Sequence, residues 1–332
     1  MARSKQQSRP KGRSGNPAKA AGLQRGGQRK ATARDWIGGA RLRTLTLGVV
    51  PVVLGTAVAF VDSGEPGDFG DYLAKDGHLA IALLALAVAL FLQIGVNYSN
   101  DYSDGVRGTD EYRVGPARLT GAGIAKPRTV LTVALTFFGL AAVAGIVIVV
   151  LTGLWWILLV GAAAIVAAWF YTGGKRPYGY NALGEVFVFV FFGLVAVLGT
   201  QYTQIQQVTT SGWAAAVAAG FFACAVLMVN NVRDIDEDRA AGKRTLAVVL
   251  GRPVARTLYG LFLMLPYVVL LWFVLLYFRT GLTYFSLLLA LPALVIGVSS
   301  RKPRELITAL QLSSFASLAY GVVLGITLAV QP

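Results

Sequence analysis

The chain has 332 residues, of which 55% are hydrophobic and only 14% charged, where soluble domains carry about a quarter charged residues. Its formal net charge is +14 and Cys224 is its single cysteine. An apolar chain with its charges gathered in a few segments excludes a pair of water-soluble domains, and one cysteine excludes an intrachain disulfide.

Residues 1–33 are rich in Arg, Lys, Gln, Gly and Ser and almost lack apolar side chains, so they are expected to form a disordered basic tail. The segment has no apolar run of the kind a signal peptide needs. Much of the positive charge sits here, which suits a tail resting on anionic lipid, and no nucleic-acid partner is expected. The rest, 34–332, reads as one membrane domain.

Nine apolar stretches follow, at about 44–61, 79–100, 130–150, 154–171, 184–200, 213–231, 254–277, 283–299 and 307–330. Most approach the ~20 residues that span a hydrocarbon layer of roughly 30 Å, and in lipid such segments must be helices. The third and fourth nearly touch, so Thr152-Gly153 must make a tight turn. With a cytoplasmic N-terminus, 28 of the 30 Lys and Arg fall on inside segments, leaving Lys75 and Arg279 outside. That split predicts an all-α, nine-helix membrane protein of the bacterial plasma membrane with its chemistry toward the cytoplasm.

Two inside segments, after the second and sixth stretches, are far more polar than the others. In the first, Asn97, Asn100, Asp101 and Asp104 fall within about 100° of one helix. In the second, Asn230, Asn231, Asp234 and Asp238 again share an arc of about 100°, while Asp236 points elsewhere. One such face could be a solvated helix end. Two on the same membrane side suit Mg²⁺ ions that bridge and neutralise a diphosphate, with Asp101, Asp104, Asp234 and Asp238 as the central carboxylates.

Basic donors for diphosphate are near at hand. Arg107, Arg113 and Arg118 follow the first cluster, Arg233, Arg239, Lys243 and Arg244 surround the second, and Lys175 and Arg176 lie on a third inside loop. Arg107, Lys175, Arg239 and Lys243 are the main candidates, although inside loops are basic for topology anyway. Glu185 is the single acid of the fifth stretch, where it either meets the acceptor or caps the helix. The glycines of the loop after the first cluster, Gly115 among them, suit a lid or an ordinary flexible loop. His78, the one histidine, falls on the outer side, which removes an imidazole base from the site and any Ser-His-Asp arrangement with it.

The stretches Ala40–Thr44, Asn97–Asp110, Arg113–Arg118, Tyr171–Pro177 and Asn230–Arg239, with Gly242–Ala247, resemble the UbiA superfamily of intramembrane prenyltransferases. The run Asn-Asp-Tyr-Ser-Asp-Gly-Val-Arg-Gly-Thr-Asp followed by Val-Gly-Pro is most similar to its MenA branch, the 1,4-dihydroxy-2-naphthoate polyprenyltransferases. The resemblance implies nine helices around a central cavity and transfer of a polyprenyl group from its diphosphate to the naphthoate with loss of CO₂. It also implies substrate contacts from Tyr171 and Arg43. Two positions depart from the superfamily pattern: Gly108 stands where many members carry a third Asp, with Asp110 two residues further on, and position 231 is Asn rather than Asp. Other acceptors (4-hydroxybenzoate, haem, a sugar phosphate) stay open on the residues alone, as does a transporter of a cation or phosphate.

Overall fold

The computed structural model describes residues 30–64, 67–108 and 118–331. The expected tail up to residue 29, and Asp110, Arg113 and Gly115 of the second inside loop, lie outside the described residues. Among the described residues the fold is all-α, with one isolated bridge between Asn181 and Arg244.

The chain enters through α1 (Ala33–Ala40), started by Thr32 and Asp35 in a reciprocal capping box. A short turn leads to α2 (Thr46–Ser63), and a second capping box, Asp68 with Asp71, starts the small α3 (Phe69–Ala74) on the opposite side. Next comes α4 (His78–Arg107), thirty residues long, ended by Gly108 at φ 72°. Only glycine takes that left-handed cap freely, so Gly108 serves here as a helix stop. After it come α5 (Pro127–Thr152) and α6 (Ile157–Phe170). Gly153, at φ 71°, makes the tight turn between them.

Beyond the loop that follows α6, α7 (Gly184–Ile205) contains a wide π turn over Phe189–Val195. Then follow α8 (Thr210–Arg233), the short α9 (Ile235–Ala240) and α10 (Leu246–Leu250), and α11 (Arg252–Leu276). A 3₁₀ stretch, Phe278–Ser286, leads into α12 (Leu287–Ser299), and α13 (Pro303–Ala329) completes the fold.

Among the described residues, eight helical segments are long and apolar enough to cross a membrane. The fourth expected span is the exception: α6 has 14 residues, because Leu154–Trp156 are used in the turn. The outward faces are apolar, with Leu275, Phe278 and Leu288 each more than 70% exposed, as a lipid-facing surface requires. This is a multi-pass membrane protein.

At its centre lies α8, which packs against α2, α7, α11 and α13. Ala215, Ala216, Ala218, Ala219, Gly220 and Ala223 give it a surface of small side chains, so neighbouring backbones approach closely. In lipid, packing of this kind replaces hydrophobic expulsion as the cohesive force. Gly193 of the π turn sits directly on α8: a Cβ there would stand 2.7 Å from Ala216 O and 2.7 Å from Gly220 Cα.

Candidate active site

The predicted face of α4 is real and buried: Asn97, Asn100, Asp101 and Asp104 are all under 7% exposed. Each side chain gathers a different segment. Asn97 donates from Nδ2 to Ala40 O (2.9 Å), and Gln93 one turn earlier donates to Thr44 O, so the Ala40–Thr44 segment is pinned against α4. Asn100 Oδ1 accepts from Thr172 Oγ1 at 2.7 Å, which ties in the loop between α6 and α7, the third loop. The two oxygens of Asp101 accept from the backbone N–H groups of Leu119 and Thr120, both at 2.8 Å.

Asp104 is the hub. It pairs with Arg118, accepts from the Tyr180 hydroxyl and stands 3.4 Å from Lys243 Nζ. Lys243 in turn lies 3.6 Å from Asp238 Oδ1 and sits over the Tyr180 ring, 4.7 Å from its centroid. A single ammonium therefore spans the two acidic segments. The loops are also fastened through their backbones, since Arg244 N donates to Tyr180 O at 2.9 Å.

The second acidic segment departs from the single-helix expectation. α8 stops at Arg233, and Asp234, at φ −94° and ψ 11°, stands at the break before α9. The bidentate grip of Arg233 holds Asp234 there, with Nε to Oδ1 at 2.5 Å and Nη2 to Oδ2 at 2.6 Å, while Nη2 also reaches Asn230 Oδ1 at 2.8 Å. A regular 100° per residue therefore does not carry from Asn230 to Asp238. Asp236 is exposed and pairs with Arg252 at 2.7 Å, away from Asp104.

The remaining predicted residues are spread more widely. Arg107 donates to the carbonyls of Thr172 and Gly174, shaping the third loop from beneath. Lys175 is exposed on that loop, and Arg239 is exposed beside Asp236 at 3.9 Å. Arg43 faces the side-chain amide of Gln311 on α13, whose oxygen would accept from Nε at 3.2 Å with the amide turned toward the guanidinium.

Glu185 is buried in the first turn of α7, and its Oε1 accepts from Asn231 Nδ2 at 2.9 Å. Its Oε2 is buried without a partner. Burial holds the Tyr178 phenol far above the ordinary tyrosine range, and its hydroxyl donates to Ala167 O at 2.8 Å.

Two residues of this constellation, Thr172 and Tyr180, were not among the sequence candidates. Neither has a distinctive residue type or spacing. Their visible signals are the loop they share with Lys175 and Arg176 and, for Thr172, its place in the Tyr171–Pro177 stretch.

The donors suit a hard divalent cation. They are all oxygens, from carboxylates and amides, and the place between Asp104 and Asp238 already receives a cationic group in Lys243. Among the described residues no three acidic or imidazole side chains converge into a complete ligand cage. Mg²⁺ commonly takes one or two protein carboxylates and completes its shell with phosphate oxygens and water, so two carboxylates are a sufficient set.

Comparison with known proteins shows the family to which the chain belongs. The chain is 45% identical over 309 residues to the 1,4-dihydroxy-2-naphthoate octaprenyltransferase of Mycobacterium tuberculosis, covering 88% of this chain and 96% of that one. It is 36% identical over 245 residues to the enzyme of the same name from Escherichia coli, covering 71% and 75%. Among solved structures, a UbiA homolog from Aeropyrum pernix superposes with a TM-score of 0.60 at 17% identity, over 85% of this chain and 96% of that one. The UbiA homolog from Archaeoglobus fulgidus bound to DMAPP and Mg²⁺ gives 0.56 at 16%, over 88% and 99%. At such identities these structures speak to the fold. The description of the UbiA prenyltransferase family matches residues 46–329, from the first turn of α2 to the last of α13, and the chain belongs to that family.

Proposed function

We propose that this protein transfers a polyprenyl chain from an allylic polyprenyl diphosphate to 1,4-dihydroxy-2-naphthoate, releasing CO₂ and diphosphate and giving demethylmenaquinol for menaquinone synthesis. The reading is supported by relatives of that name covering most of the chain. The observation that carries it is the meeting of Asp104, Asp238, Lys243 and Arg118 at the ends of the two acidic segments, a concentration of opposite charges suited to a diphosphate and its counter-ions.

In this reading Asp101, Asp104, Asp234 and Asp238, with the amides of Asn97, Asn100, Asn230 and Asn231 beside them, hold Mg²⁺ and the diphosphate at the membrane end of α4 and α8. Bound Mg²⁺ supplies positive charge that stabilises the departing diphosphate. Lys243 and Arg118 add fixed charge on the same side, with Arg107, Lys175 and Arg239 as further donors around the rim. The C1–O bond of the donor breaks and its electron pair leaves with the diphosphate. The ring carbon that bears the carboxylate bonds to C1, and the electrons of the carbon–carboxylate bond return to the ring as CO₂ departs. Tyr171, Glu185 and Arg43 are assigned to the acceptor; Glu185 Oε2, buried without a partner, is available to an acceptor hydroxyl.

The proposal extends to topology. Asp104 and Asp238 share Lys243 and must lie on one side of the bilayer. An even number of crossings therefore separates them, which supports counting α6 along with α5, α7 and α8 and hence nine spans. The basic inside loops support a cytoplasmic placement of this end in a bacterial plasma membrane, with residues 1–33 as a basic extension of the membrane domain 34–332.

The deciding experiment gives purified protein a labelled polyprenyl diphosphate and a panel of acceptors. The bicyclic acid should be used about tenfold more efficiently than 4-hydroxybenzoate, because the smaller acceptor buries less apolar area and leaves a polar group unpaired. Preference for the one-ring acid would overturn the acceptor, and failure of every acceptor would overturn the reaction.

A further inference from the structure

Three arginines that the reaction does not employ surround a second feature of the same membrane face. At the first turn of α11 and the end of α12 lies a cavity of about 530 Å³, lined by Arg252, Pro253, Arg256, Thr257, Val298 and Arg301. Their positions place it beside the second acidic segment, because Arg252 also pairs with Asp236 at 2.7 Å.

The charge of this cavity is poorly balanced. Asp236 is engaged by Arg252, and Glu305, the nearest acid in sequence to Arg301, is taken up by Ser300 at 2.5 Å and Lys302 at 3.3 Å. Arg256 donates to the Ser300 carbonyl, yet its Nε is buried without a partner, and among the described residues neither Arg256 nor Arg301 forms an ion pair. Loop arginines that serve topology alone can spread into water. These three instead converge on one concave site where their like charges repel. An oxyanion would relieve that repulsion and satisfy the unpaired donor.

The surroundings say what the anion is attached to. From the cavity wall an apolar stripe descends the outer face of α12: Val298, Val295 and Leu291, three and four residues apart, are 41%, 64% and 49% exposed. Such a stripe faces hydrocarbon and would be useless to a free inorganic anion. We propose that the cavity binds the phosphate headgroup of an anionic phospholipid of the inner leaflet, with an acyl chain lying along the Val298–Leu291 stripe. The proposal rests on the membrane placement of this end but is independent of donor and acceptor. It also gives the lipid a physical route to the second acidic segment, since Arg252 touches headgroup cavity and Asp236 alike.

The test uses the full-length protein in detergent and native mass spectrometry, with dioleoyl phosphatidylglycerol or dioleoyl phosphatidylcholine added at equal concentration. Wild type should retain the anionic lipid in preference to the zwitterionic one. Arg301→Gln should weaken that retention about fivefold, and Arg256→Gln with Arg301→Gln more strongly, as loss of one and two lipid-facing charges predicts. Retention of phosphatidylcholine should not change. Arg301 is exposed, so its single variant settles the matter even if the double variant fails to fold. Arg256→Lys with Arg301→Lys should restore most of the preference. Equal retention of the two lipids, or undiminished phosphatidylglycerol retention in Arg301→Gln, overturns the site. Displacement of the lipid by an equal concentration of inorganic phosphate overturns the lipid as its occupant.

Discussion

Lys243 Nζ lies 3.4 Å from Asp104 Oδ1 and 3.6 Å from Asp238 Oδ1, so one side chain joins the end of α4 to the segment that follows α8. The Tyr180 ring beneath the ammonium, 4.7 Å away, and the Tyr180 hydroxyl on Asp104 fix this junction from the third loop. Three segments at the same end of the bundle therefore meet at one charge.

Replacement of Lys243 by Met should remove that charge while keeping most of its stem. Turnover is expected to fall on the order of 100-fold, a loss comparable to removing one stabilising donor from a developing anion. Lys243→Arg should recover part of it. Initial rates with saturating donor and acceptor decide the matter, and wild-type rates in the Met variant would remove Lys243 from the site.

Tyr180→Phe is a finer probe. The ring under Lys243 stays, and only the hydroxyl on Asp104 is lost. A hydrogen bond to a charged group contributes about 1.5–3 kcal/mol, so a rate loss of roughly tenfold or somewhat more is expected. Because the same bond also supports the fold, the variant should unfold at a temperature lower by several degrees yet remain folded under assay conditions, which separates the rate effect from a folding defect.

Metal dependence follows from the donor set. Turnover should vanish in excess chelator and return with Mg²⁺, because clustered carboxylates and a diphosphate repel one another without divalent charge. Full activity in excess chelator with no replacement cation would sink the metal assignment.

The contact between Gly193 and α8 makes a stability prediction. In Gly193→Ala the new methyl would meet backbone at 2.7 Å, at Ala216 O and Gly220 Cα, which cannot rotate aside. A loss of about 1–3 kcal/mol is expected, as in other overpacked interiors. Gly139→Ala on α5, where no atom lies within 4 Å of the added methyl, should be neutral or slightly stabilising. Thermal unfolding of both variants in the same detergent gives the comparison.

Removing residues 1–29 should leave turnover nearly unchanged, since the α1 capping box begins only at Thr32. A truncated protein that inserts and unfolds normally but has lost activity would bring the basic extension into the site.

Much of this architecture can be read from residue order. The i, i+3, i+4, i+7 spacing of Asn97, Asn100, Asp101 and Asp104 survives intact because α4 stays helical through all four. Thr152-Gly153 also turns as read, since only glycine takes that backbone conformation without strain. What eluded the reading is tertiary. Arg233 grips Asp234 and sits at the place where α8 gives way to α9, an arrangement that helical periodicity has no means of anticipating. Thr172 and Tyr180 reach Asn100 and Asp104 only because a loop folds back across the bundle end. Lone hydroxyls carry no periodic signal, so their role appears only when the chain is closed.

The 14 residues of α6 measure about 21 Å at 1.5 Å per residue, against a hydrocarbon layer of roughly 30 Å. For α6 to cross, the lipids at its flank must thin or the neighbouring headgroups must dip toward it. Leu159 and Val166 are 76% and 54% exposed on this helix, while Trp155 and Trp156 stand exposed at its N-terminal end, and indoles favour the membrane interface. With α6 crossing as proposed, the bilayer around the protein would be uneven, shallower beside α6 than beside the thirty-residue α4. Such hydrophobic mismatch sorts a protein toward thinner membranes, and lengthening the acyl chains of reconstituted vesicles would load its cost onto this one flank.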